Sequence, residues 1–409
     1  MKKFFALLLS LAMVLALVAC GQKETTTPDD TQTPDDTTPE VEYKVAMITD
    51  YGDITDQSFN QTTYEACKAF AEDNSIEFSY FKPAGDNTAD RVAMIEKAVD
   101  EGFNVIVMPG YAFGGAIVEA APEFPDVKFI ALDVAAGDLL ETAVAKAGES
   151  YDYTPENWDL NKYVDMSNVY CAVYQEELCG YMAGYATVKL GYKSLGFLGG
   201  MAVPAVVRYG YGFVQGANAA AADMGLTDVT INYIYGGQFF GDADITSVMD
   251  TWYQGGTEVV FACGGGIYTS AVDAAKKVDG KVVGVDVDQA GVIANYAGVE
   301  GMTVTSAMKG LYPATYDTLT DVIVNGNWDK YVGKIATLGL VSGTDPEANY
   351  VQIPMGDGTQ WSDSFTQDDY KAMVKDMFDG KITVSNDTTK APTDFATAIT
   401  VNAQGQIKG

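Results

Sequence analysis

"YKVAMITDYGDITDQSFNQTTYEACKAFAED", residues 43–73, is the stretch on which the reading of the fold turns. It opens with "YKVAMIT", a short continuous apolar run of the kind that makes a strand buried on both faces. From Ser58 onward the apolar residues recur at helical spacing, with Thr63, Ala66, Cys67, Phe70 and Ala71 on one stripe. Between the two lies a turn carrying Asp50, Asp53 and Asp56. A strand that feeds a helix through such a turn is the unit of an open parallel sheet, where ligands collect beyond the carboxyl ends of the strands. Ser58 and Gln61 fit S-x-x-Q, which predicts a capping box with Ser58 as the cap. Phe59 and Asn60 then lie in the first helical turn, on the same edge as Asp50. Asp53 and Asp56 read as turn and cap residues.

The unit recurs along the chain. Strand 76–81, helix 88–101, strand "NVIVMP", helix 113–121 and strand "VKFIALD" follow in order. Residues 134–166, rich in Tyr, Asp and Glu, interrupt the alternation with little periodicity and read either as a lid at a cleft mouth or as a surface excursion. "VYCAV" and helix 176–190 resume it. A second series starts at "SLGFLGG", with helix 204–224 opened by Pro204, then "VTINYIY", helix 242–253, "EVVFA", helix 267–278 and "KVVGVD". "MTVTSAMKG", helix 311–325, the strand-like "IATLGLV" and "YVQIPM", and a helix near 366–379 complete the globule. Two series of similar size in 409 residues predict two α/β lobes, each a parallel sheet flanked by helices.

Ahead of the globule the sequence has a different character. Lys2 and Lys3 precede an apolar run, Phe4 to Ala19, that is shorter than a membrane-spanning helix. It ends in "LVAC", Leu17 to Cys20, which resembles the bacterial lipobox. Residues 1–20 are therefore expected to be a lipoprotein signal peptide, with Cys20 the lipidated residue. Residues 21–42, "GQKETTTPDDTQTPDDTTPEVE", have almost nothing to bury and are expected to be a disordered tether. Extended at about 3.1 Å per residue, such a tether reaches about 70 Å. The expected location is the extracytoplasmic face of the cell membrane, held by acyl chains.

Charge and composition exclude several classes. With 25 Lys plus Arg against 56 Asp plus Glu, the net charge is -31, which repels nucleic acid. The chain has no histidine, hence no His-based acid–base pair, and it carries no P-loop pattern and no nucleophile elbow. No catalytic residue, metal or cofactor is expected. Cys67, Cys171, Cys179 and Cys263 form no metal motif and read as small buried hydrophobes, with a Cys171–Cys179 disulfide as a minor alternative.

The strand ends concentrate chemistry. They present Asp50, Gly110 with Tyr111, and Asp133 in the first series. In the second they present "GGM", "CGGG", Asp286 with Asp288, and Lys309. An aromatic ring beside an amide and a carboxylate suits a flat heteroaromatic ligand. Taken singly, Phe59 also reads as a core or staple residue, Asp286 as a helix cap and Lys309 as half of a structural ion pair.

"TDYGDITDQSFNQTTYEA", "LGFLGGMAVPAVVRYGYGFVQGANAA", "VVGVDVDQ" and "TSAMKG" occur in this order. Together they resemble the basic membrane protein family of lipoprotein receptors for ABC transporters, which includes purine nucleoside receptors. The resemblance spans residues 43 to 380. It implies a two-lobed type I periplasmic-binding fold, with the ligand in the interlobe cleft. The lobes are expected at 43–191 plus 302–326 and at 192–301 plus 327–385, with 386–409 a C-terminal tail. It also implies a binding protein, not an enzyme, that captures a nucleoside, expected to be a purine nucleoside, and delivers it to an ABC transporter permease; a monomer is expected. By motif, base binding falls on Asp50, Phe59 and Asn60, and the second stacking ring on Tyr209, where the family usually has Phe. Sugar binding falls on Asp286 and Lys309, with the backbone of Gly264 or Gly265 close to the sugar.

Three alternatives stand beside this. A receptor of the same fold for a sugar or other small polar ligand would use the same residue types. An NAD-type enzyme is suggested by the glycines after "EVVFA", but Thr269 occupies the third glycine position. A transcription regulator of this fold needs an N-terminal helix-turn-helix, where the expected leader and tether stand instead.

Overall fold

The computed structural model describes residues 42–408. The expected leader, Cys20 and all but the last residue of the expected tether lie outside the described residues. The chain begins with β1 (Lys44–Ile48), α1 (Phe59–Asn74), β2 (Glu77–Phe81), α2 (Thr88–Asp100), β3 (Val105–Pro109), α3 (Gly114–Ala120) and β4 (Lys128–Leu132). Next come α4 (Ala136–Lys146), α5 (Leu160–Tyr163), β5 (Val169–Tyr174) and α6 (Glu176–Lys189). The second series is β6 (Ser194–Gly199), α7 (Pro204–Met224), β7 (Thr230–Tyr235), α8 (Ala243–Gln254), β8 (Val259–Cys263), α9 (Tyr268–Ala275), β9 (Lys281–Asp286), α10 (Ala290–Ala297) and β10 (Thr303–Lys309). α11 (Leu311–Leu319), β11 (Lys334–Leu338), β12 (Val351–Gln352), α12 (Gln367–Phe378) and β13 (Thr400–Gln406) follow.

Two sheets result. The first has the order β11-β5-β4-β3-β1-β2 and the second β12-β10-β9-β8-β6-β7-β13. All pairings are parallel except β10–β12. Helices cover both faces, and the strands show why. In β1, Ala46 and Ile48 enter one core while Val45 and Met47 enter the opposite one. The expected two-lobed α/β architecture is present. Among the described residues, no helix is long and apolar enough to cross a membrane.

The partition between lobes differs from the sequence expectation. β10 belongs to the second sheet, beside β9, while β11 lies in the first sheet beside β5. α6 packs into the second lobe's core, through residues such as Cys179 and Met182. The residues expected as a tail include β13, which pairs with β7. A run of alternating strands and helices does not state which sheet a strand joins; adjacency to the preceding strand decided for β10. The chain therefore crosses between lobes after β5, after β10 and between β11 and β12. The crossings lie side by side: Gln175 N donates to Leu338 O, Tyr350 N to Gly339 O, and Gly310 N to Tyr350 O.

Three local expectations also change. Residues 134–166 contain α4, with Leu139, Leu140, Ala143 and Val144 buried. Cys171 and Cys179 are free, as are Cys67 and Cys263, and all four are buried. Ser58 makes no side-chain cap bond. Asp56 caps α1 instead, accepting from the backbone N–H of Ser58, Asn60 and Gln61, while Gln61 Oε1 accepts from Gln57 N.

α6 and α7 cross at backbone contact. A Cβ at Gly180, Gly184, Gly212 or Gly216 would stand 2.0–2.3 Å from a carbonyl oxygen of the other helix. Ala at position 184 would bring up to about 1 kcal/mol of helix propensity, but it would overlap the carbonyl of Phe213. Gly184→Ala should therefore destabilise by about 1–3 kcal/mol. A lower urea midpoint at unchanged slope is the expected reading, and an unchanged or higher midpoint would contradict this packing.

Candidate functional site

The carboxyl ends of the two sheets face each other across a cavity of about 510 Å³, within the range of small-molecule sites. All eight residues singled out from the sequence line it: Asp50, Phe59, Asn60, Tyr209, Gly264, Gly265, Asp286 and Lys309. Of the residues placed at strand ends without a role, Tyr111 and Asp133 also line it. Asp288 does not; its carboxylate accepts from Ala290 N and packs against Gly358.

At one end stands Asp50. Its Oδ1 accepts from Tyr51 N (2.6 Å), Gly52 N (2.7 Å) and Asn60 Nδ2 (3.1 Å). Its Oδ2 accepts no hydrogen bond from a described residue. Asn60 is buried, and its amide is shared between Asp50 and Asp56 at 3.1 and 3.0 Å. Asn60 thus holds Asp50 in place more than it offers donors of its own. Burial pushes the phenol of Tyr111, at the same end, up to about 12.

At the other end a single ammonium is buried. Lys309 Nζ contacts Asp133 Oδ2, and lies 3.6 Å from Asp286 Oδ1 and 3.7 Å from Glu176 Oε1. The rings of Phe59, Tyr174 and Tyr209 stand 4.6, 5.4 and 5.6 Å from it. Burial works against this charge, but Asp133, Asp286 and Glu176 outweigh it and hold the ammonium above its ordinary range. Burial raises the Asp133 carboxyl to about 6, opposed by Lys309 and reinforced by Glu176 and Asp286. Glu176 also accepts from Arg208 Nε at 2.7 Å.

Asp133, just past β4, and Asp286, the last residue of β9, have φ of 59° and 65°. This backbone region costs a non-glycine residue about 1–3 kcal/mol and gathers at functional sites. The carboxylate of Asp286 accepts from Ser58 Oγ of the first lobe (2.5 Å) and from the Tyr209 hydroxyl (3.2 Å). The hydroxyl that distinguishes Tyr209 from Phe is therefore spent on Asp286, and Tyr209 is only 2% exposed. Gly264 carries the Phe239 ring where a side chain would stand, and Gly265 faces the Phe239 carbonyl.

Sequence reasoning did not single out Glu176, Arg208, Phe239 or Asp138. Glu176 and Phe239 follow the ends of β5 and β7, so reading past every strand end would have found them. Asp138 lies in the segment set aside as aperiodic. Arg208 lies within α7, and nothing in the sequence marks it.

A family profile described as ABC transporter substrate-binding protein, PnrA-like (Bmp), matches residues 43–345. The Lactococcus lactis subsp. cremoris ABC transporter nucleoside-binding protein BmpA is 24% identical over 359 residues, covering 84% of this chain and 90% of that protein. Basic membrane protein B of Borreliella burgdorferi is 26% identical over 322 residues, covering 76% and 83%. In fold, the chain is similar to an ABC transporter system solute-binding protein from Aeropyrum pernix, with a TM-score of 0.59 at 19% identity, covering 87% of this chain and 90% of that one.

Asp138, at the start of α4, lines the cavity and accepts from Ala135 N at 2.7 Å. Burial raises its carboxyl to about 7; the Ala135 bond and Arg208 oppose the rise, and Asp133 and Glu141 add to it. Between about pH 4, the ordinary carboxylate value, and about 7, the folded chain holds a proton that the unfolded chain has lost. This group's contribution to stability is therefore greatest below pH 4 and falls as pH rises to about 7. Asn keeps an acceptor for Ala135 and does not titrate. The melting temperature of Asp138→Asn relative to wild type should climb between pH 4 and 7 and level off above it, whereas a constant offset would contradict this assignment.

Proposed function

The chain belongs to the family of PnrA-like ABC transporter substrate-binding proteins, and we propose that it captures a nucleoside, with a purine base, in the cavity between its lobes. The observation that carries this reading is one cavity lined by Asp50, by Asp286 with Lys309, and by Phe59, whose ring stands 4.6 Å from the Lys309 ammonium. Asp50 offers an oxygen on a carboxylate already fixed by three N–H donors, which suits the N–H donors of a purine edge. Phe59 supplies a ring face; Asn60 acts through Asp50. Asp286 holds the ribose diol: it accepts from Ser58 and Tyr209, and its remaining lone pairs accept from two hydroxyls. Lys309 donates to a sugar oxygen. The printed name of the Lactococcus relative, a nucleoside-binding protein, supports the same ligand class.

In this reading the protein works at the extracytoplasmic face of the membrane as a monomer. Acyl chains on Cys20 anchor it, residues 21–42 are its tether, and it hands the nucleoside to an ABC transporter permease. Cys20→Ala should abolish incorporation of labelled palmitate; wild-type protein that takes up no label and fractionates as soluble would contradict the anchor.

The ligand assignment is tested by calorimetry. A hydrogen bond to a charged group is worth about 1.5–3 kcal/mol, so 2′-deoxyguanosine should bind wild type about 10- to 100-fold more weakly than guanosine. Guanine should bind more weakly still. In Asp286→Ala guanosine should lose affinity and the gap to its deoxy form should nearly close. In Asp50→Ala both should weaken and the gap should persist. A gap that survives Asp286→Ala would contradict the sugar assignment, and ribose binding as tightly as guanosine would favour a sugar receptor.

A further inference from the structure

Within this nucleoside reading, we infer that Gln289 is a positioning residue: it clasps the Gln57 carbonyl across the cleft and sets how long the ligand stays. The lobes also meet through Tyr111, Asp133, Asp286 and Lys309, but those four residues line the cavity. Gln57 and Gln289 do not line it. Their bond therefore acts on the lobes and not on the ligand.

The donor is held from within the second lobe. Gln289 is fully buried and lies between β9 and α10. Its Oε1 accepts from Val285 N at 3.0 Å, and its backbone N–H donates to Ser306 Oγ at 3.1 Å. The side chain lies over Gly284, where an added Cβ would stand 2.9 Å from the Gln289 Cβ and 3.1 Å from Oε1. With Oε1 engaged inside its own lobe, Nε2 faces the other lobe and donates to Gln57 O at 3.2 Å.

The acceptor is set by an uncommon backbone. Gln57 has φ of 57°, a region that few residues with a side chain adopt. Its backbone N–H and side-chain amide both donate to Gln61 Oε1, at 3.1 and 2.8 Å, which leaves the carbonyl for Gln289. Its neighbours reach the site on both sides. Asp56 fixes Asn60, which holds Asp50, and Ser58 donates to Asp286. The clasp thus presses the turn that supports Asp50 against the loop that follows Asp286. A ligand enclosed between two lobes leaves when they part, and parting draws Gln57 away from Gln289. The bond adds to the barrier for release and not to that for entry.

Stopped-flow kinetics and calorimetry with guanosine, 2′-deoxyguanosine and ribose test this. Gln289→Glu keeps an acceptor for Val285 N but sets a carboxylate against the Gln57 carbonyl. Gln289→Asn stays neutral and, one methylene shorter, draws the amide back. Each should raise the dissociation rate of guanosine about 10-fold, with an association rate within about twofold of wild type. The affinity ratio of guanosine to its deoxy form should stay as in wild type, because the clasp touches neither. If Gln289 served only its own lobe, its loss would act through Val285 on the adjoining Asp286, and the ratio would shrink. A shrunken ratio, or dissociation within about twofold of wild type in both folded variants, would overturn the clasp alone. Wild-type protein that binds ribose and neither nucleoside would overturn the ligand reading, and the clasp then stands or falls on the same rise in ribose dissociation. Wild-type protein that binds none of the three would overturn both.

Discussion

The ammonium of Lys309 is the constraint around which the two lobes are arranged. It sits at the end of β10 with its side chain 4% exposed, where an unpaired charge would cost several kcal/mol. Its compensation comes from both sheets: Asp133 directly follows β4 of the first, Asp286 ends β9 of the second, and Glu176 opens α6 just past the crossing from one lobe to the other. At an effective dielectric of about 20, opposite charges 4 Å apart attract by about 4 kcal/mol. That scale accounts for two aspartates held at positive φ, since the backbone cost is offset by what the carboxylates gain. Arg208 in turn supports Glu176, leaving three carboxylates facing two cations.

The rest of the cleft follows from that anchor. The lobes are joined on one side by three neighbouring crossings. Across the cavity they meet through the Lys309–Asp133 ion pair and a few further polar contacts: Ser58 with Asp286, Gln289 with the carbonyl of Gln57, and the Tyr111 hydroxyl with the Met201 sulfur at 3.6 Å. Asp286 and Lys309 thus line the cavity, with Ser58 at its edge, and the three hold the lobes to each other. Within the second lobe the glycine-lined crossing of α6 and α7 holds Glu176 and Arg208 in register.

Much of this was legible in the sequence because the signals were local. β1 and α1 could be read from "YKVAMIT" and the stripe after Ser58, and Asp50, Asp286 and Lys309 stand where strands end. The failures have physical reasons. The capping box at Ser58 was a sound local pattern, but Asp56 presents two charged oxygens to the same N–H groups, and the Ser58 hydroxyl serves Asp286, far away in sequence. β10 was given to the wrong lobe because strand order within a sheet is a tertiary fact. α4 was missed although its stripe was present, because the Tyr- and Asp-rich loop after it hid the period. Arg208 and Tyr209 sit in a helix whose sequence gives no hint that one supports Glu176 and the other Asp286.

The measurement that bears most directly on this account is a crystal structure of the protein grown with guanosine. The expected density places the base edge on Asp50, its faces between Phe59 and the second lobe, and the ribose hydroxyls on Asp286 with Lys309 beside the sugar. Guanosine bound with its sugar at Asp50, or seated outside the cleft, would contradict it.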